Sequence, residues 1–174
     1  MGKRIDTFRA HSAEEKRLFQ EHSEELSALN AEMLWYISLC FCAIMAAMML
    51  FSIIVSEFAT SMAVYIFSLA ISVAVAVFVR LRSKQYSKAV LPVMYLFAVG
   101  LFGVCIYLNS AIAPYYPNLS FTCFIILCPI AIMDRTWRIN IFLLLCVLIS
   151  AVASLIYKTP SIALVDIATS CTFA

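Results

Sequence analysis

Six long apolar runs, separated by short charged or proline-bearing breaks, make up most of the chain from residue 33 onward. They cover about 33–55, 58–79, 89–108, 119–133, 139–157 and 161–174. A helix rises ~1.5 Å per residue, so some twenty residues cross a ~30 Å hydrocarbon core. The breaks are Ser56-Glu57, the basic stretch RLRSKQYSK at 80–88, the uncharged NSAIAPYYPN at 109–118, the charged knot at 134–138, and Lys158-Thr159-Pro160. Links as short as Ser56-Glu57 force the helices they join to be antiparallel neighbours. Ahead of the first run, Ser12-Ala13-Glu14-Glu15 fits the capping box S-x-x-E and starts a helix. Its apolar residues Leu18, Phe19, Leu26 and Leu29 keep to a narrow stripe, while its other faces carry Glu14, Glu15, Lys16, Arg17, Glu21, Glu24 and Glu25. Such a net-acidic helix is unsuited to lying on anionic lipid. It reads as a solvated helix that pairs with a partner helix or prolongs the first span.

Composition names the solvent. Of 174 residues, 64% are hydrophobic and 13% charged, with a mean hydropathy of +0.99. Globular domains average about 25% charged residues, and a core of this size cannot hide the apolar excess. The expected fold is an all-α, polytopic membrane bundle of six transmembrane segments with an N-terminal cytoplasmic helix. Residues 1–32 form the lead and residues 33–174 the membrane domain.

The net charge of +2 says little as a total, because the charges are segregated; nucleic acid is not indicated as a partner. Arg80, Arg82, Lys84 and Lys88 set the orientation, since short loops rich in Lys and Arg stay on the cytoplasmic side. Segments 1–32, 80–88 and 134–138 hold every Lys and Arg except Lys158. That places both termini inside. Pro92 falls in the first turn of the third span, where its missing N–H costs little. Gly100 and Gly103 share a face that would let a neighbouring backbone approach closely. Pro129 bends the fourth span near its inner end. The last run is fourteen residues and reaches only ~21 Å, so the expectation is a truncated sixth span and a chain that is a fragment.

Chemistry is sparse. The seven cysteines lie inside apolar runs and read as small fillers. His11 and His22 have no supporting ligands. The sequence contains no phosphate-binding glycine loop and no nucleophile with a plausible base. No cofactor is implied and no active site is found. Asn118-Leu119-Ser120 matches a glycosylation sequon against the membrane and reads as a chance occurrence. Asp166, about five residues into the sixth run, is the one ionisable group well inside an apolar stretch, and an intramembrane carboxylate is a functional candidate by default. Asp134, Arg135, Trp137 and Arg138 form either a switch, with the carboxylate pairing a guanidinium at a moving hairpin, or an ordinary turn whose arginines snorkel and whose Trp anchors the interface.

The stretches Ile132-Met133-Asp134-Arg135, Tyr157-Lys158-Thr159-Pro160 and Ala163-Leu164-Val165-Asp166, set in six spans behind an acidic lead, are similar to the amino-terminal membrane regions of bacterial GGDEF-type diguanylate cyclases. The similarity covers most of residues 30–174, and its motifs are short and hydrophobic. The GGDEF motif is absent, so no catalytic residue is carried over. The resemblance implies a sensing and anchoring module in the bacterial plasma membrane, acting as a homodimer. A cytoplasmic output domain following residue 174 would make cyclic di-GMP from two GTP. Two rival readings are a small transporter or transporter subunit, which calls for paired half-repeats and polar groups near the midplane, and a scaffold that assembles through the 12–32 helix.

Overall fold

The computed structural model describes residues 13–54, 61–82, 87–112, 114–117 and 119–173. Ser12, the Ser56-Glu57 turn, Lys84 and Asn118 lie outside these residues. Every element among the described residues is helical. Helix α1 covers 13–21 and is separated from α2 (Ser23–Ile54) by a single turn residue, His22. Then come α3 (Met62–Arg82), α4 (Ser87–Ile106), α5 (Leu119–Ala131), α6 (Thr136–Tyr157) and α7 (Pro160–Phe173). Four helical stretches are long and apolar enough to cross a bilayer: Ser23–Ile54, Met62–Leu81, Ser87–Ser110 and Thr136–Tyr157. Their apolar side chains are largely turned outward, Ile54, Phe67, Leu96 and Ile156 among them, which only lipid makes tolerable. The chain is a multi-pass membrane protein.

Several boundaries differ from those expected. The later part of the acidic lead prolongs the first span, one of the two readings of that helix: residues 23–35 contain neither Gly nor Pro, and α2 runs straight past the expected boundary at residue 32. Arg80 and Arg82 belong to the last turn of α3 and Lys88 to the first turn of α4, so the basic loop is shorter than its charges imply. Cations at the carboxyl end of α3 also suit the helix dipole. Since α4 starts at Ser87, Pro92 falls in its second turn, where it cannot bond the Lys88 carbonyl. The outer loop expected from Asn109 begins later, because α4 continues into a π-helical turn, Tyr107–Ile112. Asn109 Nδ2 donates to the Cys105 carbonyl at 2.7 Å within this widened winding. Gly100 and Gly103 are exposed, and no heavy atom lies within 4 Å of where a Cβ would stand. The close helix approach expected there is not made within the chain.

The most extensive helix pairing is α2 with α3. The buried positions on α2 are Asn30, Ala31, Leu34, Ser38, Met45 and Ser52; those on α3 are Tyr65, Ser68, Ser72, Ala76 and Val79. Apart from Asn30, these fall at steps of three, four and seven, the rhythm of helices packed nearly antiparallel. Helices in lipid gain nothing from hiding apolar surface, so small residues that permit close contact hold them together. Ser38 and Ser72 donate to Leu34 and Ser68 carbonyls of their own helices, at 2.6 and 2.7 Å, so these hydroxyls make no demand on the seam.

Four independent contacts fix which helix ends lie together. Arg80 stacks over Trp35, its guanidinium carbon 5.9 Å from the ring centre. Ser27 Oγ donates to the Ser87 carbonyl at 2.8 Å. Asn30 bonds both the N–H and the C=O of Met133, and Glu15 reaches Thr136. The start of α2, the end of α3, the start of α4 and the α5–α6 turn therefore share one end of the bundle. At the other end, Lys158 meets the Tyr116 carbonyl. The larger core, near the first end, gathers Leu34, Val79, Met94, Phe97, Cys128 and Leu143 from five helices. A second, around Phe102, Phe121 and Ile125, is linked to it through Phe124 and Phe142.

Replacing the fully buried Ser72 by Leu overfills the α2–α3 seam and is expected to cost about 1–3 kcal/mol. Unfolding of the purified protein in mixed micelles measures this, with the lipid-facing Phe67→Leu expected to change little.

Candidate functional site

Two polar clusters stand at opposite ends of α6. The first occupies the α6–α7 corner. Helix α6 ends at Tyr157, and Lys158 takes an extended backbone while its N–H still bonds the Ser154 carbonyl at 3.0 Å. Pro160 opens α7, a position where its fixed φ fits and its missing N–H is not needed. So tight a corner folds α7 back along α6, and Asp166 returns beside residues one turn apart on α6. Lys158 Nζ lies 2.8 Å from Asp166 Oδ2 and 2.9 Å from the Tyr116 carbonyl, to which it donates. Ser154 Oγ donates to the same carboxylate oxygen at 2.9 Å. The lysine and aspartate side chains are 0% and 3% exposed.

An ion pair this deeply withdrawn from water adds little net stability, since removing both charges from solvent offsets their attraction. Its weight lies in the penalty for breaking it. The arrangement is also no hydrolytic dyad: the Lys158 ammonium is taken up by a carboxylate and a carbonyl, Ser154 turns its proton to Asp166, and all three side chains are buried. It ties α6, α7 and the segment at Tyr116 into one unit.

The second cluster surrounds the first turn of α6. Asp134 is buried; its Oδ2 accepts from Tyr95 Oη at 3.0 Å and faces the Arg138 guanidinium at 3.6 Å. Its Oδ1 accepts from the Arg135 N–H at 2.7 Å. Arg135 stands at the cap of α6 without a side-chain cap of its own. Glu15 takes that role from far away in sequence, accepting from the Thr136 N–H at 3.0 Å and from its hydroxyl at 3.1 Å. A carboxylate there is doubly suited, satisfying a free amide and meeting the positive end of the helix dipole. Asn30, itself buried, closes a two-bond ring with Met133: Nδ2 donates to the carbonyl at 2.9 Å and Oδ1 accepts from the N–H at 2.8 Å. Beside these contacts lies an open groove of about 460 Å³ lined by Phe19, Leu26, Pro129, Ile130, Met133 and Ile139, with Asp134 and Thr136 at its polar side.

No protein-family model, curated protein or solved structure matches the chain.

The residues singled out from sequence thus fall in different places. Asp134 and Arg138 are brought together, whereas Trp137 is exposed, with the Arg138 guanidinium carbon 5.6 Å from its ring centre. Arg135 contributes its backbone N–H rather than its charge to Asp134. Arg80 and Lys88 are exposed near the same end as this cluster. Asp166 lies at the opposite end, and the water expected beside it is replaced by Lys158. Sequence reasoning missed Lys158, read as a residue of the outer turn, and also Asn30, Tyr95 and Glu15. One signal was present for Lys158: a basic residue before a Pro corner and an acid two turns beyond can meet once the helices fold back. Asn30 also interrupts the apolar series Leu26, Leu34 at its own helical spacing.

Among the described residues no group of three or more His, Cys, Asp or Glu is placed to hold a metal ion. The seven cysteines are free thiols, with Cys128 and Cys146 buried in the core.

Replacing Lys158 by Met leaves the Asp166 carboxylate buried without its cation and is expected to cost about 3–5 kcal/mol. The double variant Lys158→Met/Asp166→Leu is expected to recover most of that loss. Unfolding of the three proteins in the same micelles checks both statements.

Proposed function

We propose that the chain is the sensory and anchoring membrane module of a bacterial signalling protein, and that it regulates a cytoplasmic diguanylate cyclase domain carried after α7. One observation supports this above the rest: α6, a ~33 Å rod at ~1.5 Å per residue, carries a polar cluster at each end, and each cluster holds different neighbours. A rod locked at both faces of a bilayer is suited to passing a displacement across it. A transporter would instead place its polar groups near the midplane. The fine motifs at 132–135, 157–160 and 163–166 carry the resemblance to cyclase membrane regions, and the two polar clusters fall on those motifs.

In this reading the plasma membrane is crossed six times, with α5 and α7 as the shorter crossings. The end bearing Lys16, Arg17, Arg80, Lys88, Arg135 and Arg138 faces the cytoplasm, following the positive-inside rule. Lys158, the exception in sequence, does not weaken that assignment, because its charge is paired rather than presented to a membrane surface. A signal from outside or from the lipid acts by favouring one packing of α6 and α7 over another, and α7 passes the change on. The module works as a homodimer, since two cyclase subunits must meet to join two GTP.

The coding sequence beyond residue 174 is the direct test. An in-frame GGDEF-type domain supports the proposal, and an immediate stop codon overturns it. The orientation is tested separately in intact cells with a membrane-impermeant maleimide. Ser83→Cys is expected to react only after permeabilisation, and Tyr115→Cys, at a position 76% exposed, to react at once. The reverse pattern would turn the arrangement upside down.

A further inference from the structure

We propose that α1 is a releasable lever, hinged at His22, that caps α6 when docked and uncaps it when it swings away. The case rests on a contrast in how the two sides of His22 are held. Beyond the hinge, α2 is fixed firmly: Ser27 bonds the Ser87 carbonyl, Asn30 closes its ring with Met133, and Ala31 and Leu34 are buried in the larger core. Before the hinge, the polar hold among the described residues is Glu15 on Thr136, two exposed hydrogen bonds that water can replace. The apolar hold is equally slight. Leu18 is 48% exposed, and Phe19 is only half-buried where it lines the groove of about 460 Å³. The helix is interrupted at His22 itself, although the bonds from His22 N–H to Leu18 and from Leu26 N–H to His22 are kept. A firm pivot, an interrupted helix and a weakly held arm are what a lever requires.

Two consequences attach to release. The first N–H of α6 loses its carboxylate, and the helix dipole loses the charge that balances it. The groove beneath Phe19 opens fully along Pro129, Met133 and Ile139.

Trypsin reads the docked fraction directly, because Lys16 and Arg17 are exposed on the arm and a helix must leave its seat and unwind to be cut. In the purified full chain, cleavage at these two residues is expected to be slower than in a peptide of residues 13–21. Glu15→Ala is expected to speed it about threefold to tenfold, the population shift that follows from losing two exposed charge-assisted bonds. Thr136→Val, which removes one of those bonds from the other side, is expected to give a smaller rise, and adding it to Glu15→Ala no further one. Glu15→Gln keeps an acceptor and is expected to restore part of the protection, while Glu24→Ala serves as an unchanged control. Hydrogen exchange at the Thr136 amide is expected to accelerate in step with cleavage. Equal cleavage of Glu15→Ala and the parent chain, or a Thr136 amide indifferent to residue 15, would overturn the lever; so would full-chain cleavage as fast as in the peptide.

Discussion

Helices that sit in hydrocarbon have no hydrophobic reason to choose one another, since a lipid tail is as good a neighbour as a leucine. What decides the arrangement is the short list of groups that lipid cannot satisfy, together with the places where backbones come close enough for dense contact. In this chain that list is concentrated in two places. The Asn30 ring on Met133 holds the start of α2 to the α5–α6 turn. The Lys158–Asp166 pair holds α6 to α7 and to the Tyr116 carbonyl. Between them the α2–α3 seam supplies packing, and Ser38 and Ser72 there have spent their hydroxyls on their own helices.

How much of this could be read from residues alone follows from the range over which each cause acts. The apolar runs are local, and so the helices were legible. Their ends were less so. The π-helical turn at Tyr107–Ile112 and the early start of α4 at Ser87 depend on side-chain bonds and neighbours rather than on composition. The charged residues divide in the same way. Arg80 and Lys88 announce themselves by clustering. Lys158 looks like a lone surface cation until the Pro160 corner brings Asp166 against it. Glu15 is one glutamate among several on a solvated helix, and nothing local distinguishes it as the cap of a helix over a hundred residues away. The glycines taught the converse lesson: Gly100 and Gly103 share a face without the G-x-x-x-G spacing, and among the described residues no neighbouring helix comes within 4 Å of either Cβ position. A packing motif therefore needs a partner helix before it means anything.

Burial also separates the two clusters in kind. The Lys158–Asp166 pair is shut from solvent, so removing one partner leaves the other charge buried and alone, and opening is strongly opposed unless both are lost together. At the other end of α6, Asp134 is held by three donors and Asn30 by two bonds, but the contact of Glu15 with Thr136 is exposed. Stability is thus graded along the molecule, from a rigid corner through a firm pivot to a loosely held arm. Regions that move in a folded protein come from the weakly held end of such a gradient.

That gradient bears on how a membrane module would report a signal. If the corner at Lys158 yields only to a change large enough to reorganise both charges, small thermal fluctuations there are filtered out. On the proposed sensory reading, a ligand that reorganised it would act on α6 as a whole, since the helix contains no Pro or Gly at which to bend. Its first turn would then move relative to a pivot that Asn30 keeps on Met133, and the contact least able to follow is the exposed one between Glu15 and Thr136. The strength of each tie, rather than its position alone, therefore determines where a displacement of α6 becomes visible.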